Sequence, residues 1–325
     1  MQVLYGSGST YTDVTYLTFR SFWRDGYLTI PPSDIDRARG MSDPLPNILK
    51  IVKIVTSEGE FIYEAGCTIR CRCSPPSFAS RRELWERNGV TLSTAEDRLA
   101  WIHRHSLLPY GSMSDEYMEQ LMVVRFLSPT ATVLELGANI GRNTVTIATV
   151  LNDDHRFVTL ECDPRSVESL LVTTGLNDLH CHVEASALSR VKLCQRGWIT
   201  TPYEDSLPAG YAPVPTITFP QIETKYNLVF DTLVVDCEGA LYYILRDEPT
   251  LLANIHTVII ENDFIELSHK NFVDEKFAEA GLREVYRSGL SEWTIPEVRD
   301  RFYQVFQRSQ LLTPVVDSVP LYANE

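Results

Sequence analysis

After Pro129 short apolar runs alternate with stretches of helical period. Strands are predicted over 132–136, 157–161, near 180–183, 232–237 and 257–261, with helices over 142–151, 164–174 and 241–246 between them. Near-continuous apolar strands separated by amphipathic helices imply a parallel sheet covered by helices on both faces, the α/β class. Just upstream, Leu121 and Val124 keep an apolar stripe in a helix predicted over 115–126, with Ser114 as its N-cap. Residues 81–105 lack proline, and Leu84, Trp85, Leu99, Trp101 and Ile102 suit one or two further helices.

The first 73 residues follow a different pattern. Runs at 12–19, 27–30, 49–55 and 60–64 read as strands. They are punctuated by Gly6-Ser7-Gly8, Pro31-Pro32-Ser33-Asp34 and Asp43-Pro44-Leu45-Pro46, and Ser57-Glu58-Gly59 predicts a hairpin. The break at Ser74-Pro75-Pro76-Ser77 sets a boundary between a small β-rich module over 1–75 and a larger domain over 76–325. Residues 76–110 are a helical lead-in to the latter.

Between the first predicted strand of the larger domain and its helix stand Gly137-Ala138-Asn139-Ile140-Gly141, two glycines four apart. A tight turn here allows close approach of a ligand to the backbone, and helix-start amides favour an anionic or carboxylate-bearing group. A dinucleotide fingerprint would need glycines where Asn139 and Arg142 stand, and a P-loop would need Lys-Ser/Thr after Gly141. Both nucleotide readings fail. Glu161 ends the second strand and can accept hydrogen bonds from ribose hydroxyls, or, on its spacing alone, can be a capping or solvated carboxylate. The glycine turn and this carboxylate together suit S-adenosylmethionine, with its amino-acid end, sulfonium and ribose.

Charge and composition narrow the partners. The chain has 325 residues, with 29 Lys+Arg against 43 Asp+Glu and a net charge of −14, which repels nucleic-acid backbones. No apolar stretch suffices to cross a bilayer, the first residues lack signal-peptide features, and seven scattered cysteines fit reduced thiols. The expectation is a cytoplasmic protein, in the host cytoplasm if its source is viral.

At this point the residues are similar to a known family. Leu134-Glu135-Leu136-Gly137-Ala138-Asn139-Ile140-Gly141 resembles the D/E-x-G-A-N-I-G signature of FkbM-type methyltransferases, a branch of the class I S-adenosylmethionine-dependent enzymes. Glu161-Cys162-Asp163-Pro164, Ala187-Leu188-Ser189, Val235-Asp236-Cys237-Glu238-Gly239-Ala240 and Ile259-Ile260-Glu261 resemble further stretches of the family, in the same order. Tyr110-Gly111-Ser112-Met113-Ser114-Asp115-Glu116 is faintly similar to an element that often precedes the glycine motif, without its Gln. Through Ile30-Pro31-Pro32-Ser33-Asp34 and Asp43-Pro44-Leu45-Pro46 the N-terminal module resembles segments attached to glycan-modifying methyltransferases, and it reads either as a docking or dimerising β-module or as a glycan-binding one through its tyrosines.

The resemblance implies a Rossmann-like class I methyltransferase sheet and O-methylation of a hydroxyl on a sugar or glycan. Glu135, Gly137, Ala138, Asn139, Gly141, Glu161, Cys162 and Ala187 are the expected cofactor contacts. Asp236 is the expected general base, with Glu238 beside it and His269 as a competing base; Glu261 and Asp263 are placed around the acceptor. Mg²⁺ can be held by carboxylates at the fourth and fifth strand ends, although Asn262-Asp263 replaces the adjacent aspartates of related enzymes. Cys67, Cys71 and Cys73 lack a fourth zinc ligand nearby, and His180 and His182 read as structural. Trp198, Tyr203 and Tyr211 form either an aromatic platform for a sugar or a packed lid. Rival readings are a non-catalytic glycan-binding or assembly protein with a vestigial fold, and methylation of a non-sugar small molecule.

Overall fold

The computed structural model describes residues 1–73, 81–289 and 295–308. The expected boundary at Ser74-Pro75-Pro76-Ser77 lies outside them. Seven strands form the large sheet: β1 (Val133–Leu136), β2 (Phe157–Leu160), β3 (His182–Glu184), β4 (Thr232–Val235), β5 (Thr257–Glu261), β6 (Leu282–Ser288) and β7 (Tyr303–Arg308). Their spatial order is β3-β2-β1-β4-β5-β7-β6; the first five are parallel, and β7 runs antiparallel to both neighbours. This is the Rossmann-like α/β sheet expected from the alternation, extended by a terminal hairpin-like pair that the sequence reading did not anticipate.

Among the described residues the helices that accompany the sheet include α1 (Tyr117–Phe126), α2 (Arg142–Val150), α3 (Pro164–Asn177), α4 (Phe219–Tyr226), α5 (Leu241–Asp247) and α6 (Leu267–Glu279), and the helix Ala95–Arg104, within the stretch expected to be helical, adds Leu99, Trp101 and Ile102 to the same core as α1 and α2. Side chains of successive strand residues alternate between two buried cores, as the two-residue strand period requires. Val133, Phe157, Val234 and Ile259 join Leu121 and Ile147 of α1 and α2. Leu134, Val158, Leu233 and Val258 join Ile222, Leu241 and Phe277 of α4, α5 and α6 on the other face.

Two expectations need correction. Ser112, not Ser114, caps the segment before α1: its Oγ accepts from Ser114 N at 3.2 Å, and Asp115 Oδ2 accepts from Ser112 N at 3.2 Å, opening a 3-10 turn over Met113–Glu116. In the N-terminal module the strand expected at 12–19 stops at Asp13, and Thr15–Phe22 is a helix. Asp13 Oδ1 accepts from Thr15 N at 2.9 Å, starting that helix, and burial of Leu17 and Phe19 outweighs the β preference of its threonines and aromatics.

The module otherwise holds a four-stranded and a three-stranded antiparallel sheet around Val3, Tyr5, Leu28, Ile30, Val52 and Ile54. The Ser57-Glu58-Gly59 hairpin forms as expected, pairing Ile51–Thr56 with Gly59–Tyr63. Pro31-Pro32-Ser33-Asp34 leads into a helix, Asp34–Met41, with Ser33 as its N-cap. Among the described residues no helix is long and apolar enough to cross a membrane.

Candidate active site

Register brings the site together. Leu136 pairs with Leu160 and Val235, and Val235 pairs with Ile260, so the residues that follow, Gly137, Glu161, Asp236 and Glu261, line up along one sheet edge. Four predicted positions thereby become neighbours. That edge is the carboxyl end of the parallel strands, where ligands bind in open α/β sheets.

The glycine turn is shaped by protein contacts. Gly137 and Ala138 both donate N–H to the Leu160 carbonyl, at 3.1 and 3.0 Å, and Asn139 N donates to Glu161 Oε2 at 2.8 Å. These amides are therefore unavailable to an anionic ligand. Gly137 has φ +89°, and a Cβ there would sit 1.5 Å from the Asp236 carbonyl oxygen. Its glycine is required by the end of β4. Gly141 has φ +94°, a left-handed conformation in which a side chain is strained, and it packs against Leu170 and Thr173 of α3.

Glu161 Oε1 accepts from Cys162 N at 2.7 Å and from Asp163 N at 2.8 Å, in addition to the Asn139 contact on Oε2. Three of its roughly four acceptor directions are used, which leaves one for a ligand. Burial raises its pKa, against the opposing pull of these three amides.

A cavity of about 500 Å³ opens from this edge. Gly137, Asn139, Glu161, Cys162, Ala187, Asp236 and Glu238 line it, so the structure gathers seven of the expected residues around one space. Cys162 forms part of the wall, its thiol pushed up to about 12 by burial and the charges of Glu161 and Asp163, hence protonated. The hairpin Leu193–Arg196/Ile199–Pro202 also lines the cavity, and its turn residue Trp198, 62% exposed, is a lining residue together with Tyr243. Tyr203 and Tyr211 do not line it; Tyr211 lies under the Arg196 guanidinium at 5.0 Å.

Three expected cofactor contacts fall elsewhere. Ala138 is buried in the turn and Gly141 packs on α3. Glu135 points beneath the turn, where its Oε2 accepts from Thr144 and Thr159 hydroxyls at 2.7 and 2.6 Å, and burial lifts its carboxyl to about 7. It joins α2 to β2 rather than lining the cavity.

Beside Asp236 the protein concentrates carboxyl groups. Glu119, Asp236 and Glu261 present oxygens that all lie within 4.8 Å of one another. Glu119 is fully buried on α1 and bonds to Glu261; burial and the neighbouring carboxylates hold its pKa well above the usual range. Asp236 is shifted the same way by burial and by Glu261, Asp263, Glu116 and Glu238. Asp263, bonded to Glu261, is raised to about 9 by burial and that same neighbour. No N–H or hydroxyl among the described residues reaches Glu119 Oε2 or Asp263 Oδ2. Glu116 accepts from Arg142 Nη1 at 2.8 Å.

Glu119 was missed in the sequence because it stands in an ordinary amphipathic helix with nothing around it to mark a site. Asn262 proves structural: its side-chain amide donates to the Arg301 and Phe302 carbonyls at 2.8 and 3.0 Å, tying β5 to β7. Glu238 has φ +53°, so the chain turns immediately after β4 and the two carboxylates do not share a strand face. His269 is not part of the cavity wall. Its ring stacks on Tyr242 with centroids 3.7 Å apart, and Nε2 lies 3.5 Å from Glu266.

No protein-family model and no curated protein matches the chain. Among solved structures it is similar to the ribosomal protein L11 methylase of Lactobacillus delbrueckii subsp. bulgaricus, at 12% identity over 61% of this chain and 80% of that one, with a TM-score of 0.39. It is similar to the O-methyltransferase from Bacillus cereus in complex with SAH, at 15% identity over 70% and 94% of the two chains and a TM-score of 0.36. A third is fibrillarin from Aeropyrum pernix with natively bound S-adenosyl-L-methionine, at 12% identity over 59% and 73%, TM-score 0.33.

Proposed function

We propose that this chain is an S-adenosylmethionine-dependent O-methyltransferase of the FkbM type that acts on a hydroxyl of a sugar or glycan. The observation that carries the reading is the chemistry of the cavity. It offers carboxyl groups at Glu161, Asp236, Glu238 and Asp247 against one cation, Arg246, while the turn amides are consumed internally. Such a lining suits a ligand bearing positive charge and hydroxyls and disfavours phosphates.

The residues present fit the cofactor. Glu161 keeps one acceptor direction for a ribose hydroxyl, and Cys162, Ala187 and Leu188 supply a mainly apolar wall for a planar base. When bound, the cofactor supplies an electrophilic methyl group on a sulfonium. Asp236 stands at the edge where an acceptor would meet that group, and burial together with crowding by Glu261 and Asp263 raises its basicity, which suits removal of a hydroxyl proton by its ionised form. Holding the acceptor in line supplies several further kcal/mol of the barrier, by order of magnitude.

The all-oxygen set Glu119, Asp236 and Glu261 also fits a hard divalent cation such as Mg²⁺, which would offset the crowded charge and favour ionised Asp236. The sugar or glycan acceptor rests on the family resemblance, with support from Trp198, exposed and lining the cavity. A tritiated-methyl transfer screen over free sugars, oligosaccharides and lipid-linked glycans, with and without Mg²⁺, tests the activity. Calorimetric titration with S-adenosylmethionine and with NAD(H) tests the pocket: absence of S-adenosylmethionine binding returns the chain to a scaffold role, and preference for NAD(H) to hydride transfer.

A further inference from the structure

Between β3 and α4 the chain leaves the main sheet and builds a three-stranded antiparallel one, with Leu193–Arg196 in the middle, between Ile199–Pro202 and Ala212–Val214. Strand alternation gives it two different faces. Leu193 and Gln195, with their cross-strand partners Pro202 and Thr200, line the cavity of about 500 Å³. Cys194, between them, is buried on the other face, where its thiol donates to the Thr201 carbonyl at 3.5 Å. The cavity wall thus sets an apolar pair, Leu193 and Pro202, beside a polar pair, Gln195 and Thr200.

The polar pair lies against the residue that follows Glu161. Cys162 Sγ donates to Gln195 Oε1 at 3.8 Å, and the Thr200 side chain also bonds to Cys162. A thiol is a weak donor, so Oε1 keeps most of its acceptor capacity. Among the described residues nothing accepts from Gln195 Nε2. Gln195 therefore brings a free donor and a lightly used acceptor, side by side in one plane, to the wall that Cys162, Ala187 and Leu188 offer a planar base.

From this geometry we infer that Gln195 is the residue that selects the base of the cofactor, its amide pairing with the amino group and N7 of adenine. The inference rests on the S-adenosylmethionine reading above and adds the group that sets the choice of base. Oε1 accepts from the amino group while Nε2 donates to N7, the two-bond pairing by which Gln recognises adenine in nucleic acids. Contact with Cys162, next in sequence to the ribose-binding Glu161, brings the amide to the edge of the base nearest the sugar, and in a purine that edge carries N7. A 6-oxo base presents two acceptors there, so whichever way the amide is turned one acceptor faces another. The competing account is that Gln195 only covers the Cys162 thiol, which gives no preference among bases.

The test is calorimetric titration of the full-length protein with S-adenosylhomocysteine, with its 7-deaza analogue and with its 6-oxo (inosine) analogue. Wild type should bind S-adenosylhomocysteine at least about tenfold more tightly than either analogue, the usual worth of a two-bond base contact. Gln195→Leu should weaken S-adenosylhomocysteine by about tenfold and bring the three ligands within about threefold of one another. The isosteric Gln195→Glu keeps the acceptor and loses the donor, so it should bind the 7-deaza analogue at least as tightly as S-adenosylhomocysteine. Gln195 is half-buried in the cavity wall, and an unchanged Tm without ligand verifies the fold of both variants. The inference is overturned, with the cofactor reading left standing, if wild type binds all three ligands alike or if both variants keep the wild-type order of affinities. A wild type that binds none of them overturns the cofactor reading and this inference together.

Discussion

Asn139 donates its backbone N–H to Glu161 Oε2 at 2.8 Å, across twenty-two residues of sequence. The carboxylate expected to hold a ligand therefore also holds the turn that frames it. Glu161→Ala should lose stability as well as cofactor affinity, by about 1.5–3 kcal/mol for amide hydrogen bonds to a charged group. Glu161→Gln should keep more of the fold and still bind more weakly. Denaturant unfolding beside calorimetry with S-adenosylhomocysteine separates the two losses; a Glu161→Ala protein as stable as wild type contradicts this account.

Gly137→Ala should be severely destabilising, because the new Cβ would lie 1.5 Å from the Asp236 carbonyl at φ +89°. Overpacking and backbone strain together cost at least about 2 kcal/mol. A lowered Tm or loss of soluble protein is expected even without ligand, whereas a defect seen only in ligand binding would show that the backbone yields easily.

Asp236→Asn should slow methyl transfer by about 10²–10⁴-fold, the usual contribution of a positioned base, with cofactor affinity largely kept. Burial and the neighbouring carboxyl groups already favour the neutral form of Asp236, so the isosteric neutral amide should leave the apo protein no less stable. Single-turnover transfer rates and Tm, measured on the same preparation, check both halves. Normal turnover would remove Asp236 from the role of base.

Stability of the cation-free protein should fall as pH rises. Glu135 and Asp263 have folded pKa values of about 7 and about 9, above their unfolded values of 4.5 and 3.8, mainly through burial. The folded state thus holds more protons, and the stabilisation present below pH 4 is lost progressively through pH 7 and on toward 9, with a slope of up to about 1.4 kcal/mol per pH unit for each group. Glu135→Gln should flatten the lower part of the curve. Denaturant midpoints from pH 5 to about 9 provide the check, and a rising profile there would contradict the assignment.

Mg²⁺ should raise Tm most at alkaline pH, where Glu119 and Asp236, whose carboxyls burial holds well above the usual range, are most fully ionised. Glu119→Gln should diminish that rise while leaving binding at the glycine turn intact. Equal Mg²⁺ responses in wild type and Glu119→Gln would exclude Glu119 from the ion's ligands.

The parallel strands were legible because each is a short apolar run bounded by polar or turn residues, and β5 occupies 257–261 as expected. Gly137, Asn139, Glu161 and Asp236 were legible because strand-end residues become neighbours whenever parallel strands pair in register. Glu119 was not, since burial of a helical carboxylate depends on what packs over it. Glu135 was misplaced because one residue's difference along a strand reverses the face, and the helix at Thr15–Phe22 was read as a strand because its residues favour β structure in isolation.

The last strand of the chain's described region, β7, is not an edge but sits between β5 and β6. During synthesis the preceding pieces must wait, with β5 and β6 lacking their shared partner, until residues 303–308 leave the ribosome. Completion of the sheet is thus a late event, and premature termination before Tyr303 would strand β6 without a neighbour, marking such fragments for proteolysis rather than leaving a trimmed but working molecule.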